Sequence, residues 1–236
     1  LLTRFINIET ISFQWMAQAG RWKWFRISTI PGTNFIIRRS VLDQVGGWDE
    51  KALAEDTELS IRVYEEGYEI RFYPLAVTWE QEPETWKVWL KQRTRWARGN
   101  QYVIFKYMSR LFQLKRRRML FDLIYFFFTY FMFLGGVFTS HFLFVMGLLG
   151  YMKVTLPGPF LLIWILAYLL FVVEIMITLG IEKTELTRRN FFTVLMMYLT
   201  YSQLWLLLVV RAFRLHVEAT IKRKEVKWEK TQRFQA

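Results

Sequence analysis

Gly46-Gly47-Trp48-Asp49-Glu50, Ala54-Glu55-Asp56-Thr57-Glu58 and Gln92-Arg93-Thr94-Arg95-Trp96 follow one another in this chain, and their order decides how the rest is read. A glycine pair that can end a helix precedes two adjacent carboxylates. A basic, aromatic helix comes later, and long apolar stretches follow it directly. A carboxylate can accept a proton, arginines can hold a phosphate leaving group, and an indole face gives a sugar ring somewhere to lie. Next to apolar stretches, that combination suits chemistry on a polyanionic donor at a membrane surface.

Working outward, the composition demands segregation. Of 236 residues 53% are hydrophobic and 19% aromatic, high for a soluble protein, while 22% charged residues exclude a chain that is apolar throughout. The formal charge of +12 suits nucleic acid, anionic lipid or a phosphorylated substrate equally well. With no cysteine there are no disulfides and no thiolate metal sites. The chain opens on Leu1 without a signal peptide, as a segment of a larger protein would.

N-terminal to the opening motifs, Ile8, Ile11, Trp15, Met16 and Ala19 recur at helical spacing, and Gly20 is expected to end that helix. Pro31-Gly32-Thr33-Asn34 is a turn, and Phe35-Ile36-Ile37 reads as a short buried strand. Ser40 opens a helix that Gly46-Gly47 closes. Residues 58–67 form a second amphipathic helix, and 69–73 alternate like a strand. Residues 30–80 therefore predict strand, helix, loop, helix, strand, an α/β layout. Glu55 and Asp56 fall where a helix begins and its N–H groups favour negative charge, which is also an ordinary structural place for acids.

From Trp86 to Arg118 the chain carries eleven lysines and arginines and no acid, interleaved with an apolar stripe at 3–4 spacing. A basic amphipathic helix rich in Trp suits the headgroup plane of a bilayer. Nucleic acid is the rival partner, since it too is met by interleaved basic and aromatic residues. The apolar stretches at 120–151, 159–181 and 191–211 favour membrane and no nucleic acid. Basic flanks at 115–118 and 211–233 predict both ends on the cytoplasmic side, so 120–151 must return to its own side, breaking at Gly135-Gly136. Glu174, mid-stretch, is expected to face a bundle interior, a wet cavity or a structural hydrogen bond.

Four motifs resemble those of the processive membrane family-2 glycosyltransferases, the group of cellulose, hyaluronan, chitin and poly-N-acetylglucosamine synthases. Gly32-Thr33-Asn34 with Arg38-Arg39 is similar to the acceptor-side segment. Glu55-Asp56 is similar to the Glu-Asp motif that supplies the catalytic base. Gln92-x-x-Arg95-Trp96 matches Gln-x-x-Arg-Trp in full. Trp228-Glu229-Lys230-Thr231-Gln232-Arg233 resembles, with altered spacing and no glycine, the gating segment of hyaluronan-type synthases.

The resemblance implies an α/β plus α-helical membrane fold. Residues 1–85 would be the C-terminal half of a cytosolic GT-A-type glycosyltransferase domain, and 86–118 an interface helix. Residues 119–213 would be a transmembrane helix bundle, and 214–236 a cytosolic tail with Trp228, Thr231 and Arg233 for gating. The family's donor half, whose Asp-x-Asp binds Mg or Mn, has no counterpart in the sequence, so the chain reads as a fragment of a longer enzyme.

It further implies an inverting transfer from a nucleotide-diphosphate sugar to a growing β-linked glycan that is moved across the cell (plasma) membrane from a cytoplasmic site. Asp56, beside Glu55, would be the base. Arg95 with Arg93 would meet the leaving diphosphate. Trp96 and Gln92 would hold the acceptor sugar, and Gly32 and Thr33 would let the glycan pass close to the backbone. Two other readings stay open: a non-processive transferase acting on a lipid acceptor, and a non-catalytic membrane adaptor or transport subunit.

Overall fold

The computed structural model describes residues 1–115, 117–151, 160–182 and 184–222. The tail residues Trp228, Thr231 and Arg233 lie outside them. Helix accounts for 71% of the structure, and among the described residues there is no strand.

Among the described residues ten α-helices follow in chain order. Helix α1 (Leu2–Ser12) continues through a wider π-helical stretch (Phe13–Gly20) into α2 (Arg21–Phe25). Gly20 does not end the run; Arg26 does, at φ 57°. The short α3 (Arg39–Gln44) and α4 (Glu55–Glu65) flank the glycine pair, close to the helices expected there. Helix α5 (Trp86–Met108) starts at Thr85, whose side chain accepts a hydrogen bond from the Val88 N–H. It is shorter than the basic segment, because the chain turns at Leu111–Gln113 and starts again as α6 (Arg117–Phe127).

A second π-helical stretch (Phe128–Phe133) joins α6 to α7 (Leu134–Leu148), which runs straight through Gly135 and Gly136. Then come α8 (Phe160–Ile181), α9 (Arg188–Leu199) and α10 (Tyr201–Ile221).

These elements overturn the expected α/β half followed by a transmembrane bundle. Residues 35–37 and 69–73 carry no ladder, since a strand exists only when another is paired to it and among the described residues there is none. Among the described residues no single helix is long and apolar enough to cross a membrane. Helix α8 carries an apolar stretch over Ile165–Ile181. The expected last crossing is split at Thr200 into α9 and α10, a pair bent by 41° that meets the length and composition only together. Glu174 lies exposed on α8.

One core joins the N-terminal helix to the C-terminal ones. Leu2, Phe5, Ile6 and Ile8 of α1 pack with Trp89 of α5, Val172, Ile175 and Leu179 of α8, Val194 and Met197 of α9, and Tyr201 and Leu208 of α10. Its rim is polar: Trp15 Nε1 donates to Glu182 at 3.0 Å, and the Ser12 and Thr178 hydroxyls are 3.3 Å apart. A second core sets Ile27, Ile61 and Tyr64 against Val103, Tyr107, Met119 and Leu123, and so fixes α4 beside α5 and α6. A third seats Val41 and Val45 against Leu59 and Val63. At roughly 1.5–3 kcal/mol per buried large apolar side chain, these contacts are the main favourable term.

Gly99 sets how closely α5 approaches the segment before Glu55. A Cβ there would lie 2.6 Å from the Ala54 nitrogen and 2.7 Å from the Ala54 Cβ. In a free helix Gly99→Ala would gain about 1 kcal/mol of propensity. Here the clash is with backbone that cannot swing aside, and overpacking of this kind costs about 1–3 kcal/mol. Gly99→Ala is therefore expected to lower stability in chemical denaturation; a variant more stable than the parent would show that the approach is loose.

Candidate active site

The site is built where three segments meet: the turn 31–34, the N-terminal end of α4 and the middle of α5. The 28–30 segment feeding the turn is tied down group by group. Gln18, fully buried, donates to the Thr29 carbonyl and hydroxyl at 3.0 Å each, and accepts from the Ser28 hydroxyl (2.9 Å) and the Thr29 N–H (3.0 Å). The Tyr64 hydroxyl donates to the Ser28 carbonyl and accepts from its N–H. The Ile30 N–H donates to the Ser60 hydroxyl at 2.8 Å, which in turn donates to the Asp56 carbonyl at 2.7 Å. Two residues beyond Ile30, Gly32 sits at φ +77°, and a Cβ on it would meet Asp56 Oδ2 at 2.7 Å. Only glycine lets the turn lie this close to the carboxylate. Thr33 is exposed on the same turn.

Asp56 Oδ1 accepts the Thr57 N–H at 2.7 Å. Burial raises its pKa above the ordinary carboxylate value, the neighbouring Glu55 charge adds to the rise, and hydrogen bonds from Thr57 oppose it without cancelling it. Arg95 reaches this corner from α5 and donates to the Leu53 carbonyl at 3.5 Å. Burial lowers its pKa, while the charges of Glu55 and Asp56 pull the other way. The guanidinium stays charged. Glu55, Asp56, Gly32 and Arg95 are thus brought together as one group.

Arg93 is elsewhere. It is 1% exposed and faces α1, where Nε and Nη2 donate to Glu9 Oε2 at 3.1 and 2.7 Å; Nη1 donates to Gln92 Oε1. The indole of Trp96, 37% exposed, lies over the Arg93 guanidinium with 4.0 Å between carbon and ring centroid. Arg93 and Gln92 are thus engaged with each other and with Glu9, and Trp96 presents the open ring.

A second buried charge cluster locks the acidic loop to α5. Glu58, 0% exposed, accepts from Lys106 Nζ at 2.7 Å, from the Tyr107 hydroxyl at 2.8 Å and from Arg62 Nε at 2.8 Å. Lys106 also donates to Asp49 at 2.7 Å, and Tyr102 adds a bond to Asp49 at 3.2 Å. Burial works against ionised Asp49, but the bonds from Lys106, the Lys51 N–H and Tyr102 outweigh it and hold its pKa below the usual value. Glu9, Glu58, Lys106 and Gly99 were not singled out from the sequence. Gly99 carried a signal, a glycine inside a long helical run. Glu9 is one acid among apolar residues, and nothing local marks it.

Among the described residues no group of three or more His, Asp or Glu side chains could hold a metal ion. The Glu55–Asp56 pair is answered instead by Arg95. The described residues do not build the Mg or Mn site that the resemblance implies.

Removing the Glu58 charge takes the carboxylate partner from Arg62 and leaves Lys106 with Asp49 alone. Breaking a buried pair costs about 3–5 kcal/mol, so Glu58→Gln should lower the melting temperature markedly. Asp43→Asn, whose partner Arg39 lies in water, should change it little. Equal effects would mean that the buried cluster is no stronger than the surface pair.

Residues 3–217 match the model of the family described as glycosyl transferase family group 2. The probable glycosyltransferase YdaM of Bacillus subtilis (strain 168) is 61% identical over 234 residues, 99% of this chain and 56% of that protein. The chain thus spans about half the length of that relative. The poly-beta-1,6-N-acetyl-D-glucosamine synthase of Staphylococcus aureus (strain COL) is 36% identical over 80 residues, 34% of this chain and 19% of that one. No solved structure matches the chain. With a family match over nearly its whole length, the chain belongs to glycosyl transferase family group 2.

Proposed function

We propose that this chain carries the acceptor-side residues of an inverting glycosyltransferase that extends a β-linked glycan from a nucleotide-diphosphate sugar. The observation that carries the reading is Asp56, a part-buried carboxylate with a raised pKa, placed between a glycine turn and Arg95. Asp56 removes the proton from the acceptor hydroxyl. The oxygen forms a bond to the anomeric carbon as the bond to the diphosphate breaks, and the electron pair leaves with the diphosphate. Arg95 meets the charge that develops there, a role for a planar, permanently charged fork. Gly32 leaves room for the acceptor beside the carboxylate, and the open face of Trp96 receives its terminal sugar.

The name of the Staphylococcus aureus relative supports an N-acetylglucosamine polymer as product, and UDP-N-acetylglucosamine as the first donor to test. Exposed apolar residues along α8, such as Leu166, Leu170, Val173 and Ile177, favour a lipid environment. We place the enzyme at the cell membrane, with its catalytic residues on the cytoplasmic side where nucleotide sugars are made.

In the full-length enzyme, Asp56→Asn should reduce transfer by at least about 10²-fold, the lower end of a general-base contribution, and leave donor binding intact. Near-normal turnover would remove Asp56 as the base. Because the base must be ionised and its pKa is raised, transfer should be lost as pH falls through a value above the ordinary 3.8. That limb should be absent from the residual rate of Asp56→Asn. Arg95→Lys keeps the charge but loses the fork, and a fall of roughly 10²-fold is expected; wild-type rates would end the leaving-group role.

A further inference from the structure

Trp96 and Arg95 are neighbours in the chain, yet only Arg95 is held at the acidic corner. What fixes the Trp96 ring is Arg93 beneath it. A guanidinium stacked on an indole orients that ring only if the guanidinium is itself immobile. Here each of its three nitrogens is bonded: Nε and Nη2 to Glu9, Nη1 to Gln92.

Glu9 is in turn held by α10. Its Oε2 also accepts the Tyr201 hydroxyl at 2.8 Å, and its Oε1 accepts Trp205 Nε1 at 2.7 Å. Tyr201 is set by Trp89 Nε1, which donates to its oxygen at 2.8 Å. The carboxylate therefore accepts four hydrogen bonds from α5 and α10 and cannot turn without breaking several. A buried ion pair is weak evidence for stability, since packed apolar groups often serve as well. One that ends under a partly exposed aromatic ring calls for another explanation.

We propose that Glu9 is a positioning residue for glycosyl transfer: by locking the Arg93 guanidinium, it holds the Trp96 indole in one plane for the acceptor's terminal sugar. This rests on the reading of Trp96 as the acceptor platform. Glu9 touches neither donor nor acceptor and acts only through Arg93. Losing its charge frees the guanidinium, lets the ring tilt and weakens the acceptor's hold, while the corner formed by Asp56 and Arg95 keeps its geometry.

The test uses the full-length enzyme in detergent, labelled with 5-fluorotryptophan, and the Trp96 fluorine resonance assigned by its loss in Trp96→Phe. Glu9→Gln and Arg93→Lys should both shift or broaden that resonance. Tyr201→Phe removes one donor to Glu9 without releasing Arg93, so it should leave the resonance in place even if it lowers the melting temperature. With UDP-N-acetylglucosamine and N-acetylglucosamine oligosaccharides, Glu9→Gln should lower kcat/KM for the acceptor by about tenfold or more. Donor hydrolysis without acceptor should change less than about twofold. Glu9→Gln combined with Trp96→Ala should be no slower than Trp96→Ala alone, because both act through one ring. An unmoved Trp96 resonance in Glu9→Gln, equal losses in transfer and hydrolysis, or losses that multiply in the double variant would each overturn the proposal. The fluorine spectrum decides the positioning even for a donor that the enzyme does not use, so a failed assay with this donor bears on the proposed function and leaves the test of Glu9 standing.

Discussion

A charge taken out of water must find its partner inside the protein, and helix α5 meets that constraint on both of its sides. On one, the buried Arg93 is met by Glu9 of α1. On the other, Lys106 is met by the buried Glu58 of α4 and by Asp49 of the loop before it. Neither pair can slide along the helix. A shift of one residue would rotate α5 by about 100° and take Arg93 from Glu9 and Lys106 from Glu58 and Asp49. The apolar cores determine that α5 packs against α4 and α10; the charges determine the register at which it does so.

The division of labour follows from magnitudes. Burial of large apolar side chains at roughly 1.5–3 kcal/mol each supplies the bulk of the favourable energy, and the N-terminal helix is held mainly in this way, through Phe5, Ile6 and Ile8. The ion pairs add little net stability while intact, because desolvation opposes their attraction, yet about 3–5 kcal/mol is lost when one partner goes. That asymmetry makes them good at selecting one arrangement among several that bury the same area. Gly99 then permits a backbone approach that no other residue would allow, and that approach brings Arg95 to Glu55 and Asp56.

The parts of this arrangement that could be read from the sequence are those whose causes are local. Helices α3 and α4 announce themselves by apolar spacing and by the glycines after them. The start of α5 shows as a switch to basic residues at Trp86. Gly32 and Asp56 were marked as site residues, and the structure brings them together. Causes that act at a distance were not legible. The alternation at 69–73 has the strand period, but no neighbour pairs with it. Gly135-Gly136 looked like a break, yet a helix tolerates glycine at modest cost, and α7 continues through both. Residues 191–211 have the composition of one straight helix, and the bend at Thr200 is not marked by proline or glycine. Glu9 owes its importance to Arg93, Tyr201 and Trp205, all of them distant in the chain.

The spacing of Gln92, Arg93, Arg95 and Trp96 has a geometric reason in the helix itself. At about 100° per residue, Arg95 and Gly99 are four apart and share one face; that face meets Leu53 and Ala54 and, through them, the acidic pair. Trp89 and Arg93 are likewise four apart and face the other way, toward Glu9 and Tyr201. Trp96 lies three residues after Arg93, on the boundary between the two faces, so its ring can rest on the guanidinium below and still be open above. Moving the tryptophan one position in either direction would turn it into the loop or into the core. Two arginines of the same chemical type, two residues apart, therefore end in opposite environments: Arg93 anchors the helix and its ring, and Arg95 is left to face Glu55 and Asp56.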